Sequence, residues 1–186
     1  MAHINIEIKA KSVNLNIVRD ILKSNNAVFI GIDHQIDTYF NVNNGRLKLR
    51  GGKIENHLIH YKREDNKAPK QSEVTLFESC PESSLKEILT AALGVLTIVD
   101  KKREIFFIDN VKFHIDTVKD LGTFVEIEAI DSDGAIGGEK LLAQCRFFID
   151  LLAISENDLI ADSYSDLLLQ KKIGSAAQAV TPIKSE

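Results

Sequence analysis

The chain has 186 residues, 23 Lys and Arg against 27 Asp and Glu, and a formal charge of −4. That length predicts one domain, at most with an appendage, burying about 70% of the surface its unfolded form exposes, so no staple is needed. The net acidity excludes a uniformly basic nucleic-acid binder. No apolar run of about 18 residues predicts a membrane span, and the N-terminus lacks the basic-then-apolar pattern of a secretory signal. Cys80 and Cys145 are far apart and match no metal-ligand spacing or disulfide framework, which suits a reducing compartment. The expectation is a cytoplasmic single-domain protein.

Period-two alternation, the mark of strands with two unlike faces, begins at once, with Ile4, Ile6 and Ile8 alternating with Asn5, Glu7 and Lys9. Ser12 or Asn14 can cap a helix carrying Ile17, Val18, Ile21 and Leu22 on one side. Asn44-Gly45 is a hairpin signal before the strand Arg46–Arg50. Gly51-Gly52 turns the chain into a strand from His57 to Arg63, and a polar turn at 64–69 leads into Gln71–Phe77. Ser84 with Glu87 reads as a capping box for a helix bearing Leu85, Ile88, Leu89 and Ala92, and Gly94 ends it. Strands follow over Ile98–Ile108, Val111–Val118 and Phe124–Ile130. Leu141, Leu142, Cys145, Phe148, Ile149 and Leu152 recur at helical spacing from Gly138, and a short helix opens at Ser155. From Lys171 the periodicity fades, predicting a main domain over 1–170 and a flexible tail over 171–186. Seven or eight strands joined by short turns predict an α+β fold, a closed antiparallel eight-stranded β-barrel with helices packed outside.

The polar faces of these strands carry full charges. Glu7, Lys9 and Lys11 share one, and Arg46, Lys48 and Arg50 another; Lys62 and Lys70 follow. Lys101 pairs with Arg103, His114 with Asp116, and Glu126 with Glu128. If helices cover the apolar faces, the charged faces converge inside a closed sheet. Nine cations against the four carboxylates Glu7, Asp116, Glu126 and Glu128 repel one another by several kcal/mol at close range, so the pattern calls for a polyanion. Carboxylates of that kind hold Mg²⁺ or Mn²⁺, which bridge phosphates.

The first strand, Asn5-Ile-Glu-Ile-Lys9, resembles the Glu-x-Glu-x-Lys signature of the CYTH superfamily of class IV adenylyl cyclases and thiamine and inorganic triphosphatases. Gln35-Ile-Asp-Thr-Tyr-Phe40, Arg46–Arg50, Lys101-Lys-Arg103, His114-Ile-Asp116, Leu121–Glu128 and Ser163-Tyr-Ser-Asp-Leu167 follow in the family's order. The resemblance implies a triphosphate tunnel. Its substrate would be a nucleoside, thiamine or inorganic triphosphate, with Mg²⁺ or Mn²⁺ as cofactor and no nucleic acid or membrane as partner. Glu7, Glu126 and Glu128 would hold the metal. Lys9, Lys11, Arg46, Lys48, Arg50, Lys62, Lys70, Lys101, Arg103 and His114 would bind phosphate oxygens. Lys9, Arg50, Lys101, Arg103 and Asp116 would serve the reaction, either cyclisation with pyrophosphate leaving or hydrolysis of the terminal phosphate. Asn5 departs from the family glutamate, offering a carbonyl without charge. That weakens metal binding and leaves a non-catalytic triphosphate-binding module as the alternative.

Other features read as structural. His57 and His60, three apart on a strand, lie on opposite faces. Tyr39, Phe40 and Tyr61 read as packing, and Cys145 as a small buried hydrophobe. Gly51-Gly52 lacks phosphate-loop spacing, and Ser72 and Ser163 lack nucleophile partners. A closed barrel leaves no free edge, so any homodimer would use helices or outer loops.

Overall fold

Alternating strands with one apolar and one charged face settle into a ring when the apolar faces turn outward under helices. A computed structural model describes residues 2–12, 14–63 and 69–179. The elements run β1 (Ala2–Lys11), α1 (Leu15–Ser24), β2 (Val28–Phe40), β3 (Arg46–Gly51), β4 (His57–Arg63), β5 (Lys70–Glu78) and α2 (Leu85–Leu93). Then come β6 (Val95–Ile108), β7 (Val111–Val118), β8 (Gly122–Asp131), α3 (Gly138–Leu151), a 3₁₀ turn at Glu156–Asp158, and α4 (Tyr164–Ala179). The strands close in the order β1-β5-β4-β3-β2-β6-β7-β8, antiparallel throughout. No described helix is long and apolar enough to cross a membrane.

The main apolar core lies outside the ring. Ile6 and Ile8 of β1, Phe113 and Ile115 of β7, and Val125 and Ile127 of β8 point outward. They are covered by Val18 and Leu22 of α1 and by Leu141, Cys145 and Phe148 of α3. Each large side chain so buried stabilises the fold by roughly 1.5–3 kcal/mol. Phe113 and Phe148 meet edge to face at 4.8 Å. With these strands anchored apolar side out, period two directs Asn5, Glu7, Lys9, Lys112, His114, Asp116, Glu126 and Glu128 inward. A second cluster packs Tyr164 and Leu168 of α4 on Tyr39, Val99, Val118 and Phe124.

Several local expectations change. β2 is a strand of 13 residues, longer than the Gln35–Phe40 motif suggests. Ser84 precedes α2 but makes no side-chain cap bond, and none of the residues of α2 is fully buried: Leu85 and Leu89 of its apolar stripe are half-buried, and Ile88 and Ala92 are exposed. Gly94, at φ +70°, does end that helix, and its N–H bonds the Thr90 carbonyl. The segment expected to leave the domain at Lys171 continues α4 as far as Ala179, because the leucines of its first turns dock on the barrel. Residues 180–186 and the turn at 64–68 lie outside the described residues.

Candidate functional site

A cavity of about 210 Å³ runs inside the barrel. Six cations reach it, Lys9, Lys48, Arg50, Lys101, Arg103 and Lys112, against five carboxylates, Glu7, Asp37, Glu55, Glu126 and Glu128. The interior is therefore close to charge-balanced, not the strongly cationic lining read from alternation. Asp37 lies within the Gln35–Phe40 motif, whereas Glu55 and Lys112 carry no sequence signal of their own beyond loop or strand position.

Asp37 is the hub of one side. Its carboxylate accepts from Arg50 Nε at 2.9 Å and Nη2 at 3.0 Å and from Lys101 Nζ at 2.6 Å, with Lys48 Nζ at 3.3 Å. Burial would raise the Asp37 carboxyl, but Arg50, Lys101 and Lys48 together hold it well below the usual carboxylate range. Burial lowers the Lys101 ammonium to about 7, Asp37 opposing and the neighbouring Arg50, Arg103 and Lys48 adding to the fall. Lys48 is the least committed of these cations, lying 5.5 Å and 5.6 Å above the Tyr39 and Tyr61 rings.

Glu126 is the hub of the other. It accepts from Lys9 Nζ at 2.5 Å and Arg103 Nη2 at 2.6 Å, with His114 Nδ1 at 3.1 Å. Arg103 also grips Asp116 through Nε at 2.8 Å and Nη2 at 2.5 Å, a two-pronged geometry that fixes its plane. The Tyr164 hydroxyl donates to Asp116 at 2.8 Å, and its ring lies 3.9 Å beneath the Lys9 ammonium. Burial raises the Tyr164 phenol, and Asp116 and Glu126 add to it, so it remains a donor. Asp116 points into the barrel but is fully buried beneath Arg103 and Tyr164, where it orients Arg103.

A third station comes from a loop. Asp33 of β2 accepts from the backbone N–H groups of Lys53, Ile54 and Glu55 at 2.6, 3.2 and 3.1 Å. Gly52 is required here by close approach: a Cβ would stand 2.3 Å from Asp33 Oδ2. The clamped turn aims Glu55 into the barrel, where it bonds Arg50 Nη1 at 2.8 Å, Gln35 Nε2 at 2.9 Å and the Lys112 ammonium. Burial would raise its carboxyl, but Arg50 and Lys112 hold it far below the ordinary range.

His114, Glu126 and Glu128 present ligand atoms that all lie within 4.8 Å of one another. Burial and then Arg103 lower the His114 imidazole, while Glu128 and Glu126 oppose the shift. One nitrogen and two carboxylates converging in this way fit a divalent cation. Glu7 stands directly across from Glu128 in the β1–β8 ladder.

Some expected ligands lie elsewhere. Lys62 is exposed, because His57, Ile59 and Tyr61 set the inward parity of β4 and Lys62 falls on the outer face, opposite the exposed Glu73. Lys11 ends β1 and is exposed at the rim. Arg46 is half-buried and tied to Asp166 of α4 at 2.9 Å, outside the cavity wall. Lys70 is buried with its ammonium on the Ala161 carbonyl, beside a smaller void. His114 points into the barrel but is buried against Glu126 and Glu128, at 3.1 and 3.7 Å. Tyr39 and Tyr61, read as packing, line the cavity. Cys145 is buried, with its thiol pushed up to about 12 chiefly by burial, and so is inert.

The CYTH domain family matches residues 3–164. The PH1012 protein of Pyrococcus horikoshii OT3 superposes with a TM-score of 0.74 at 24% identity, covering 88% of this chain and 98% of that one. A proposed adenylate cyclase from Vibrio parahaemolyticus gives 0.71 at 16%, covering 91% and 99%. A proposed adenylyl cyclase from Hippeastrum, whose structure is described as revealing a dominant triphosphatase activity, gives 0.60 at 13%, covering 91% and 95%. At these identities the likeness is one of fold. Among curated proteins no match is found.

Proposed function

The chain belongs to the CYTH domain family, and from that premise we propose that it is a divalent-metal-dependent enzyme acting on a triphosphate held in its barrel. The single observation that carries this reading is the convergence of Lys9, Lys48, Arg50, Lys101, Arg103 and Lys112 on one enclosed cavity. In a low-dielectric tunnel such donors stabilise a polyanion far better than surface lysines do. Arg50 and Arg103 are held in plane by Asp37 and Asp116, so their remaining N–H groups can meet phosphoryl oxygens without reorganisation. Lys48, Lys101 and Lys9 then follow the phosphate chain, while Asp116 acts as a positioning residue.

Glu126, Glu128 and His114, with Glu7 beside them, would hold Mg²⁺ or Mn²⁺, which when bound would neutralise phosphate charge. The protein's own part is positioning. It lines up either a ribose hydroxyl with the α-phosphorus, releasing pyrophosphate, or a water with the terminal phosphorus, releasing orthophosphate. Relatives described in both ways share this fold. A second reading, binding without turnover, is favoured by Asn5, which brings no charge to the first strand.

Incubation with Mg²⁺ or Mn²⁺ and ATP, thiamine triphosphate or tripolyphosphate decides among them. Cyclic AMP with pyrophosphate identifies a cyclase, and orthophosphate a triphosphatase. Thermal stabilisation by triphosphate without products identifies a binding module. No effect of any triphosphate removes the proposal.

A further inference from the structure

The interior of the barrel is not uniformly ionic. Ile59 and Tyr61 of β4 and Val74 and Leu76 of β5 face the cavity, and the first three form an apolar cluster of their own. Register makes the patch continuous: Ile59 lies across from Leu76, and Tyr61 across from Val74. On its β3 side Ile59 is paired with Lys48, so the hydrocarbon wall begins where the cationic one ends. At the other margin Ile130 of β8 lies beside Asn5, and Asn5 beside Ser72.

Those last two residues carry a second, independent signal. Asn5 Oδ1 and Ser72 Oγ are buried in the cavity wall, at 6% and 0% residue exposure, and have no hydrogen-bond partner among the described residues. Buried polar atoms without partners are uncommon in native proteins and mark where something else belongs. An amide oxygen is only an acceptor, and an ionised polyphosphate is only an acceptor too. Phosphate therefore cannot satisfy Asn5 Oδ1; an N–H, an O–H or a cation can, and the described cluster that fits a cation is His114, Glu126 and Glu128, without Asn5. Nor does a bare phosphate chain gain from lying on Ile59, Val74 and Leu76, where its oxygens would lose water without replacement.

Resting on the triphosphate reading above, we infer that the ligand is an organic monoester of triphosphate, not the inorganic chain. Its compact apolar group sits on the β4–β5 wall and donates a hydrogen bond to Asn5 and Ser72. A cavity of about 210 Å³ is smaller than the roughly 300–1,000 Å³ typical of drug-sized ligands, which limits that group to about one ring system inside the barrel. The departure from the family glutamate at position 5 then acquires a role: a carboxylate would sit against Ile130 and Ser72, whereas the amide reads a neutral donor.

Equilibrium binding of tripolyphosphate, ATP and thiamine triphosphate without added metal, so that nothing turns over, tests this. At least one ester is expected to bind about tenfold or more tightly than tripolyphosphate, since pocket methylenes and a satisfied buried polar group each discriminate by about that factor. Ile59→Ala with Val74→Ala, and separately Ser72→Ala, should weaken that ester about tenfold while leaving tripolyphosphate within about twofold. The retained tripolyphosphate binding also reports that the variants fold. Tripolyphosphate binding as tightly as both esters overturns the inference and leaves the triphosphate tunnel standing. So does an equal loss of all three ligands in Ser72→Ala, which removes one oxygen only. Failure of the native protein to bind any of the three overturns both.

Discussion

The Lys101 ammonium lies 2.6 Å from the Asp37 carboxylate in the barrel wall, the two side chains 1% and 2% exposed. Asp37 also neutralises Arg50 and Lys48, so one carboxylate supports three cations. Asp37→Asn leaves Lys101 and Lys48 without their carboxylate and Arg50 with Glu55 alone, and breaking a buried ionic cluster costs about 3–5 kcal/mol. The melting temperature of this variant should fall markedly. Tripolyphosphate should then raise it by more than it raises the native protein, because the ligand replaces the missing charge. Equal ligand-induced shifts in the two proteins would count against Asp37 as the hub.

The depressed Lys101 sets a pH dependence with opposite signs for folding and binding. Its folded value of about 7 lies below the ordinary 10.5. Folding therefore releases a proton between those values, and this group's contribution makes stability rise as pH climbs through the window. A bound polyanion favours the charged ammonium, so binding takes up a proton over the same range. Affinity should be highest below about pH 7 and fall by up to about tenfold per pH unit above it. Lys101→Arg keeps its charge and should flatten the profile. A native profile as flat as that of the variant would remove Lys101 from the binding set.

Glu55 occupies Arg50 and Lys112 before any ligand arrives. Glu55→Gln keeps the shape of the clamped turn, releases Lys112 and frees Arg50 Nη1, while Asp37 still holds Arg50 Nε and Nη2. Titration calorimetry should show tripolyphosphate binding about tenfold more tightly, as one charge-assisted contact is worth about 1.5–3 kcal/mol. Weaker binding would mean that Glu55 itself contacts the ligand.

The cluster of His114, Glu126 and Glu128 mixes nitrogen and oxygen donors, which ranks Mn²⁺ above Mg²⁺. Paramagnetic resonance of Mn²⁺ should show Glu128→Gln losing most of the bound ion. His114→Ala should narrow the preference for Mn²⁺ over Mg²⁺. Unchanged Mn²⁺ binding in Glu128→Gln would move the metal elsewhere.

Tyr164→Phe removes the 2.8 Å bond to Asp116 and leaves the ring under Lys9. Losing one donor to a buried carboxylate should cost about 1–3 kcal/mol in denaturant unfolding. A loss below about 0.5 kcal/mol would show that Arg103 alone satisfies Asp116.

The strands at the two ends of the chain were the legible ones. Ile4, Ile6 and Ile8 against Asn5, Glu7 and Lys9, and Val125 and Ile127 against Glu126 and Glu128, alternate so cleanly that each face is assigned on sight. β4 was not. His57 to Arg63 mixes polar and apolar residues on both faces, so nothing local says whether Tyr61 or Lys62 points inward. β2 was obscured by the apolar run Val28-Phe29-Ile30, although Asp33, Gln35 and Asp37 do alternate beyond it.

From the linear order of residues alone came an antiparallel closed sheet, apolar faces outward under helices, and charge gathered inside, because these follow from period and from the sign of each side chain. Folding in three dimensions decided which charges meet. Asp37 finds Lys101 across 64 positions, Lys9 finds Glu126 across 117, and Asp33 aims Glu55 through a turn. Electrostatic pairing depends on distance through space, and only the closed register of the barrel, which puts Asn5 across from Ser72 beside a hydrocarbon wall, sets those distances.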